Sequence, residues 1–255
     1  MDLNLTTWFF VFARAGALLA VFPAFSAQTI PVRLRIGLAA LIAFLASPFL
    51  PDSMPANPGF WALLRLLFLE VSVGLMLGFI CRLVFFAIDL AGGIASTEIG
   101  LMLSSTFNPL TSGALPVPGT ILFWLAMMLL FSLNLHHWII AAIQQSYFLV
   151  PVGGAHLGEG LVLEVVARSS EIFRIALQMV APVMAVSFVI TVIFSVLSRA
   201  VPQMNTFSES FSVRCLAGLT VFGLTCHLMA QQIENYLRRL PEDILRVAQL
   251  IGSGS

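Results

Sequence analysis

FWALLRLLFLEVSVGLMLGFICRLVFFAIDLA, residues Phe60–Ala91, is apolar nearly throughout, with Arg65, Glu70, Arg82 and Asp89 as its only charges. A single helix over it would measure roughly 48 Å at 1.5 Å per residue, against about 30 Å for the hydrocarbon core of a bilayer. Tilt absorbs part of the excess. The remainder predicts apolar surface that meets other protein outside the bilayer, and hence a multi-subunit assembly. Glu171–Ser198 gives roughly 42 Å on the same arithmetic, with Pro182 placed to kink it.

Outward from there, six apolar segments stand out: Trp8–Phe22, Leu34–Leu50, Phe60–Ala91, Ile121–Ala142, Ile172–Leu197 and Val213–Ala230. Each approaches or exceeds the ~20 residues of a membrane span. The expected fold is all-α, a polytopic membrane-type helical protein. Composition agrees: of 255 residues 59% are hydrophobic and 9% charged, with a mean hydropathy of +1.00. Soluble domains carry about a quarter charged residues, so the chain is an integral membrane protein or one buried by partners. A net charge of zero argues against nucleic acid. All twelve basic residues are arginine, which suits paired sites, although genomic base composition produces the same bias.

Charge placement suggests a topology. Arg33 and Arg35 lie in the first connection, Arg199 and Arg214 flank Glu209 in the fifth, and the second has only Asp52. The fourth, Tyr147–Ser170, sets Glu159 and Glu164 against Arg168. Positive-inside bias then puts connections one, three and five in the cytoplasm and both termini outside. Arg238, Arg239 and Arg246 oppose this, balanced by Glu234, Glu242 and Asp243. The first residues lack a basic n-region and an A-x-A site, so a retained first segment is expected. Gly252–Ser255, GSGS, has the look of a tag linker and is set aside. In the tail Gln231–Leu250, apolar Ile233, Leu237, Leu240, Ile244, Val247 and Leu250 alternate with charge, an amphipathic pattern in which Pro241 is expected to restart a helix.

Within the third segment, Glu70, Gly74, Leu77, Gly78 and Cys81 form one stripe, and Gly74–Gly78 is a GxxxG that admits a close helix neighbour. A carboxylate in such surroundings must be neutralised, paired or wetted. Glu70 is therefore either an inter-helix partner or a handler of protons or substrate. Arg14, midway along the first segment, wants a buried partner. Arg82 and Asp89 are two turns apart and pair more readily with other helices than with each other. Gly92-Gly93 is expected to weaken or end the long helix before Glu98. His136 and His137, being adjacent, diverge on a helix and make a poor metal pair. Cys81, Cys215 and Cys226 lack ligand spacing and are expected to be reduced thiols. No HExxH, G-x-S-x-G or phosphate loop occurs, so neither an enzyme nor a cofactor is supported.

Two polar stretches interrupt the apolar ones. Ser104–Pro118, SSTFNPLTSGALPVP, is uncharged, and its three prolines and one glycine forbid a regular helix. Such backbone fits a loop packed inside an assembly, across a pore, as well as a neutral extracytoplasmic connection. Ser198–Gly218, SRAVPQMNTFSESFSVRCLAG, alternates polar Gln203, Asn205 and Ser208 with Met204, Phe207 and Phe211. Arg199 and Pro202 end the preceding helix. This turn is either a protein-docking surface or a loop resting on the membrane interface.

Several blocks together carry a resemblance: Arg14 with FPAFSAQTIPVRLRIGLA (Phe22–Ala39), EVSVGLMLGFICRLVFFAIDLAGG (Glu70–Gly93), EIGLMLSSTFNP (Glu98–Pro109), NLHHWIIAAIQQSYFLVPVGG (Asn134–Gly154) and the Ser198–Gly218 stretch. Over residues 8–230 the sequence resembles the FliR/SctT export-gate subunits of flagellar and virulence type III secretion. The PQMN turn and FNP–SG loop favour the flagellar branch. The family often has Gln at Glu98, an acidic residue at Asn108 and a basic one, usually Lys, at Arg214; these departures touch the roles of Glu98 and Asn108, not the fold. The resemblance implies a FliP-like portion over 1–170 and a FliQ-like hairpin with its tail over 171–251. It also implies a helically arranged channel shared with FliP-type and FliQ-type subunits, an FlhB-type protein at its cytoplasmic side, unfolded exported proteins as substrates, and contact with lipid. A pore plug would fall on Ser104, Ser105, Thr106, Phe107, Asn108, Pro109, Leu110, Thr111, Ser112 and Gly113, with Phe107 and Leu110 as stoppers. Arg14, Glu70, Arg82, Asp89 and Glu98 would serve buried pairing, Gly74 and Gly78 close packing, and Arg199, Pro202, Gln203, Asn205, Phe207 and Phe211 partner docking at the turn. A secondary transporter using Glu70, Arg82 and Asp89 is the competing class; it predicts an inverted repeat, and none is visible.

Overall fold

In the computed structural model, which describes residues 5–26, 30–50, 59–102, 117–156, 158–201, 203 and 205–253, every regular element is helical. The order is α1 Leu5–Val21, α2 Pro23–Ser26, α3 Val32–Ala46 with a short 3-10 turn Ser47–Phe49, α4 Phe60–Ile99, α5 Val117–Ser132, α6 Leu135–Leu149, α7 Glu159–Ala200 and α8 Thr206–Ser253. Among the described residues α4, α7 and α8 are long and apolar enough to cross a membrane, and α5 with α6 forms an apolar pair bent by 69°, the geometry of a broken span or of a re-entrant loop. The chain is thus a membrane-type all-α protein.

Four helix boundaries differ from the sequence expectation. Gly92-Gly93 neither ends nor interrupts α4, which continues to Ile99. The missing side chain at Gly92 is used for a crossing: a Cβ there would stand 2.1 Å from Gly119 Cα on α5. The Ser96 and Thr97 hydroxyls donate back to the Gly92 and Gly93 carbonyls at 2.6 and 3.0 Å. The helix stops at Gly100 instead. Its φ of 91°, with Leu101 N–H donating to Ser96 O and Gly100 N–H to Thr97 O, makes a Schellman end.

Pro241 does not restart a helix, because α8 runs through it. The predicted apolar stripe continues on both sides of the proline, with Ile233, Leu237, Leu240, Ile244 and Val247 all buried. Packing outweighs the hydrogen bond that proline removes. The segment Ile121–Ala142 is two helices, broken at Asn134, a left-handed residue with φ 55°. Glu164 and Arg168, assigned to a connection, are helical because α7 begins at Glu159.

The chain divides into two compact units. The first comprises Met1–Val84, Leu130–Ser170 and Leu237–Ser255; the second comprises Phe85–Leu129 and Glu171–Tyr236. In the first unit α1 is central, with Phe10, Val11, Ala15, Leu18 and Leu19 buried. It packs on α3 and lies across the α4 GxxxG: Cβ atoms at Gly74 and Gly78 would come within 2.3 Å of Arg14 O and 2.8 Å of Leu18 O. Only glycine permits that approach. In the second unit the end of α4 is held from two sides. Ser187 Oγ on α7 donates to Glu98 O at 3.3 Å, and Gly218 on α8 sits against Ile99.

Candidate functional site

The close α1–α4 crossing brings Arg14 and Glu70 together in the first unit. Both side chains are out of solvent, at 0% and 1% exposure. The guanidinium meets the carboxylate with two donors, Nε to Oε2 at 2.7 Å and Nη2 to Oε1 at 3.1 Å. This bidentate geometry is the one arginine suits better than lysine. The remaining valences are filled from α6 and the turn beyond it. Arg14 Nη1 donates to Ser146 Oγ at 3.0 Å and Nη2 to Val150 O at 3.0 Å. Gly153 N–H donates to Glu70 Oε1 at 3.3 Å. The Tyr147 hydroxyl lies 3.1 Å from Glu70 Oε2 and 3.3 Å from Phe10 O, and its ring stacks under the guanidinium, with Arg14 Cζ 3.7 Å from the centroid.

Taking two charges out of water costs several kcal/mol each, recovered only where geometry and extra hydrogen bonds are good. Here both conditions hold. Each Glu70 oxygen has two polar contacts, so the carboxylate ties α1, α4 and α6 together. Tyr147, Ser146 and the Val150–Gly153 backbone were not among the residues singled out from sequence. The signal available was the polar run QQSY (Gln144–Tyr147) inside an apolar segment.

The other singled-out residues lie elsewhere. Arg82 is half-buried and Asp89 exposed, and neither joins the cluster. Glu98 is half-buried in the last turn of α4. Ser104 through Gly113 lie outside the described residues, as do Pro202 and Met204. At the α7–α8 turn, Arg199, Gln203, Asn205 and Phe211 are exposed, and Phe207 falls in the first turn of α8. Asn205 caps that helix: its Oδ1 accepts the Ser208 N–H at 3.4 Å. Asn205→Ala is expected to cost about 1 kcal/mol, read as a small fall in the thermal midpoint followed by circular dichroism. Arg214 Nη2 reaches Thr191 Oγ1 on α7 at 2.9 Å and ties the hairpin together.

Residues 5–240 match the family described as bacterial export proteins, family 1. The chain belongs to that family. Members similar to it include the flagellar biosynthetic protein FliR of Escherichia coli, 27% identical over 91% of this chain and 88% of that protein. The protein of that name from Caulobacter vibrioides is 30% identical over 84% and 86%. That of Bacillus subtilis is 26% identical over 95% and 94%. The family match contains all of α1 to α7, and so the whole Arg14–Glu70 cluster.

Proposed function

We propose that the chain is a membrane subunit of the flagellar type III export gate, forming part of the channel through which unfolded flagellar proteins leave the cell. Likeness over nearly its whole length to proteins named flagellar biosynthetic protein FliR carries this reading. The long apolar helices suit it, as do the exposed apolar faces of α7 and α8, which include Phe188, Val192, Val196, Leu216 and Leu224. Its partners are FliP-type and FliQ-type subunits and an FlhB-type protein. Its place is the inner membrane at the flagellar basal body, with the α7–α8 turn facing the cytoplasm. The arginine–glutamate lock holds the first unit's helices while substrate passes.

Ser104–Pro118 is assigned to the plug. An uncharged, small and apolar lining suits varied sequences, since strong binding would stall them, and an apolar constriction bars ions by dewetting. Deleting Ser104–Pro118 in assembled complexes is expected to raise small-solute leakage across the membrane; unchanged leakage would reject the plug. The wider reading is tested by co-expression with neighbouring apolar reading frames and mass measurement of the intact complex. A large heteromer with several smaller partners is expected. A stable monomer or homodimer that binds a small solute would overturn it in favour of transport.

A further inference from the structure

The last turns of α8 lie against the turn that completes the Arg14–Glu70 cluster. Gly252 is so close to Leu149 that an added Cβ would stand 2.3 Å from the Leu149 carbonyl oxygen and 3.5 Å from Val150 Cγ2. One residue earlier, Ile251 is fully buried and its carbonyl accepts the His156 N–H at 2.9 Å. Between these two contacts runs the turn Leu149–His156, which offers Val150 O to Arg14 and the Gly153 N–H to Glu70. Gly153 takes φ 79°, and Gly154 N–H to Pro151 O is a local bond of the turn itself. Its position therefore depends on what packs around it.

Earlier in the same helix, Leu237, Leu240, Ile244, Val247 and Ala248 are buried in the first unit. Four charges then tie this stretch to the start of α7. Arg168 Nη1 meets Asp243 Oδ1 at 2.8 Å, Arg168 Nε meets Glu164 Oε1 at 2.9 Å, and Arg246 Nε reaches the same Glu164 oxygen at 3.4 Å. A network of partly buried pairs contributes more than an isolated surface pair. Gly252 fits this place because it has no side chain to meet the Leu149 carbonyl.

We propose that Leu237–Ser253 is an intramolecular strap that holds the turn Leu149–His156 onto the buried Arg14–Glu70 pair, with Ile251 and Gly252 as its positioning residues. When the strap lifts, the turn loses its backing, Arg14 loses the Val150 carbonyl and Glu70 the Gly153 N–H, and water gains access to the pair. The inference concerns how this chain completes its own site, and it stands whether or not the chain works in an export gate.

Hydrogen exchange on the full-length chain in detergent tests it, read over Val150–Gly154, where no amide bonds to the strap. Gly252→Val is expected to speed exchange there about tenfold, and Asp243→Asn about two- to threefold, since protection reports local opening. Gly223→Ala, in the same helix with open space around its Cβ, should leave exchange there at the unsubstituted rate. Faster exchange in Leu240–Ser253 with an unchanged Val150–Gly154 would overturn the strap, and so would unchanged exchange throughout in either variant. If Gly252→Val fails to fold, Asp243→Asn decides alone by the same two readings.

Discussion

Glu70→Ala is expected to destabilise the protein by about 3–5 kcal/mol, the loss typical when one partner of a buried pair is removed and the other charge stays behind. Arg14 would keep Ser146, the Val150 carbonyl and the Tyr147 ring as neighbours. None of these neutralises a guanidinium that has no exposure to water. Arg14→Met should cost a similar amount for the mirror-image reason. The double variant Arg14→Met/Glu70→Leu should recover most of the loss, because removing both charges leaves an apolar contact of similar volume. Unfolding in mixed detergent micelles, followed for the four species of a double-mutant cycle, gives the coupling directly. Additive losses in the two single variants would show that the pair is not a unit. Glu70→Gln is expected to fall between, since the amide oxygen still accepts while the charge is gone.

Gly92→Ala should bring the second large effect, a net loss of at least about 2 kcal/mol despite the gain of up to about 1 kcal/mol that alanine normally brings to a helix. The added methyl would meet the Gly119 backbone at 2.1 Å. Backbone cannot rotate out of the way as a side chain can, so α4 and α5 must separate. The Phe85–Phe123 edge contact, on the same two helices, would open with them. Gly223→Ala supplies the reference, a helical glycine with nothing near its Cβ, and should gain slightly. Equal behaviour of the two variants in thermal unfolding would show that the crossing is looser than its geometry.

These two sites also show what could be read from sequence. That Arg14 and Glu70 each needed a partner followed from their type and surroundings. That they needed each other did not, because 56 residues separate them and nothing local couples the positions. The third side of the cluster is a carbonyl and an N–H from the turn after α6, groups that every residue has and no sequence displays. Gly92 was misjudged because a glycine pair reads as a local breaker, whereas its role is set by a neighbour on another helix. Pro241 misled in the same way: its local effect was read, and the buried stripe on both sides of it prevailed. The apolar runs were legible because length and hydropathy depend on nothing distant. Their ends were less so, since glycine caps and bends such as Asn134 are tertiary choices.

The bare faces of α7 and α8 determine how this chain can meet another. In water, Phe188, Val192, Val196, Leu216 and Leu224 would draw in a partner by themselves. In hydrocarbon, lipid tails solvate them as well as a neighbouring leucine would, and that attraction vanishes. What remains is the closeness of fit and competition with solvating chains for the same surface. Recruitment is then a matter of two-dimensional mole fraction. After extraction, any subunit seated on these helices will be retained or lost according to the ratio of detergent to protein, and diluting the buffer at a fixed ratio will change little.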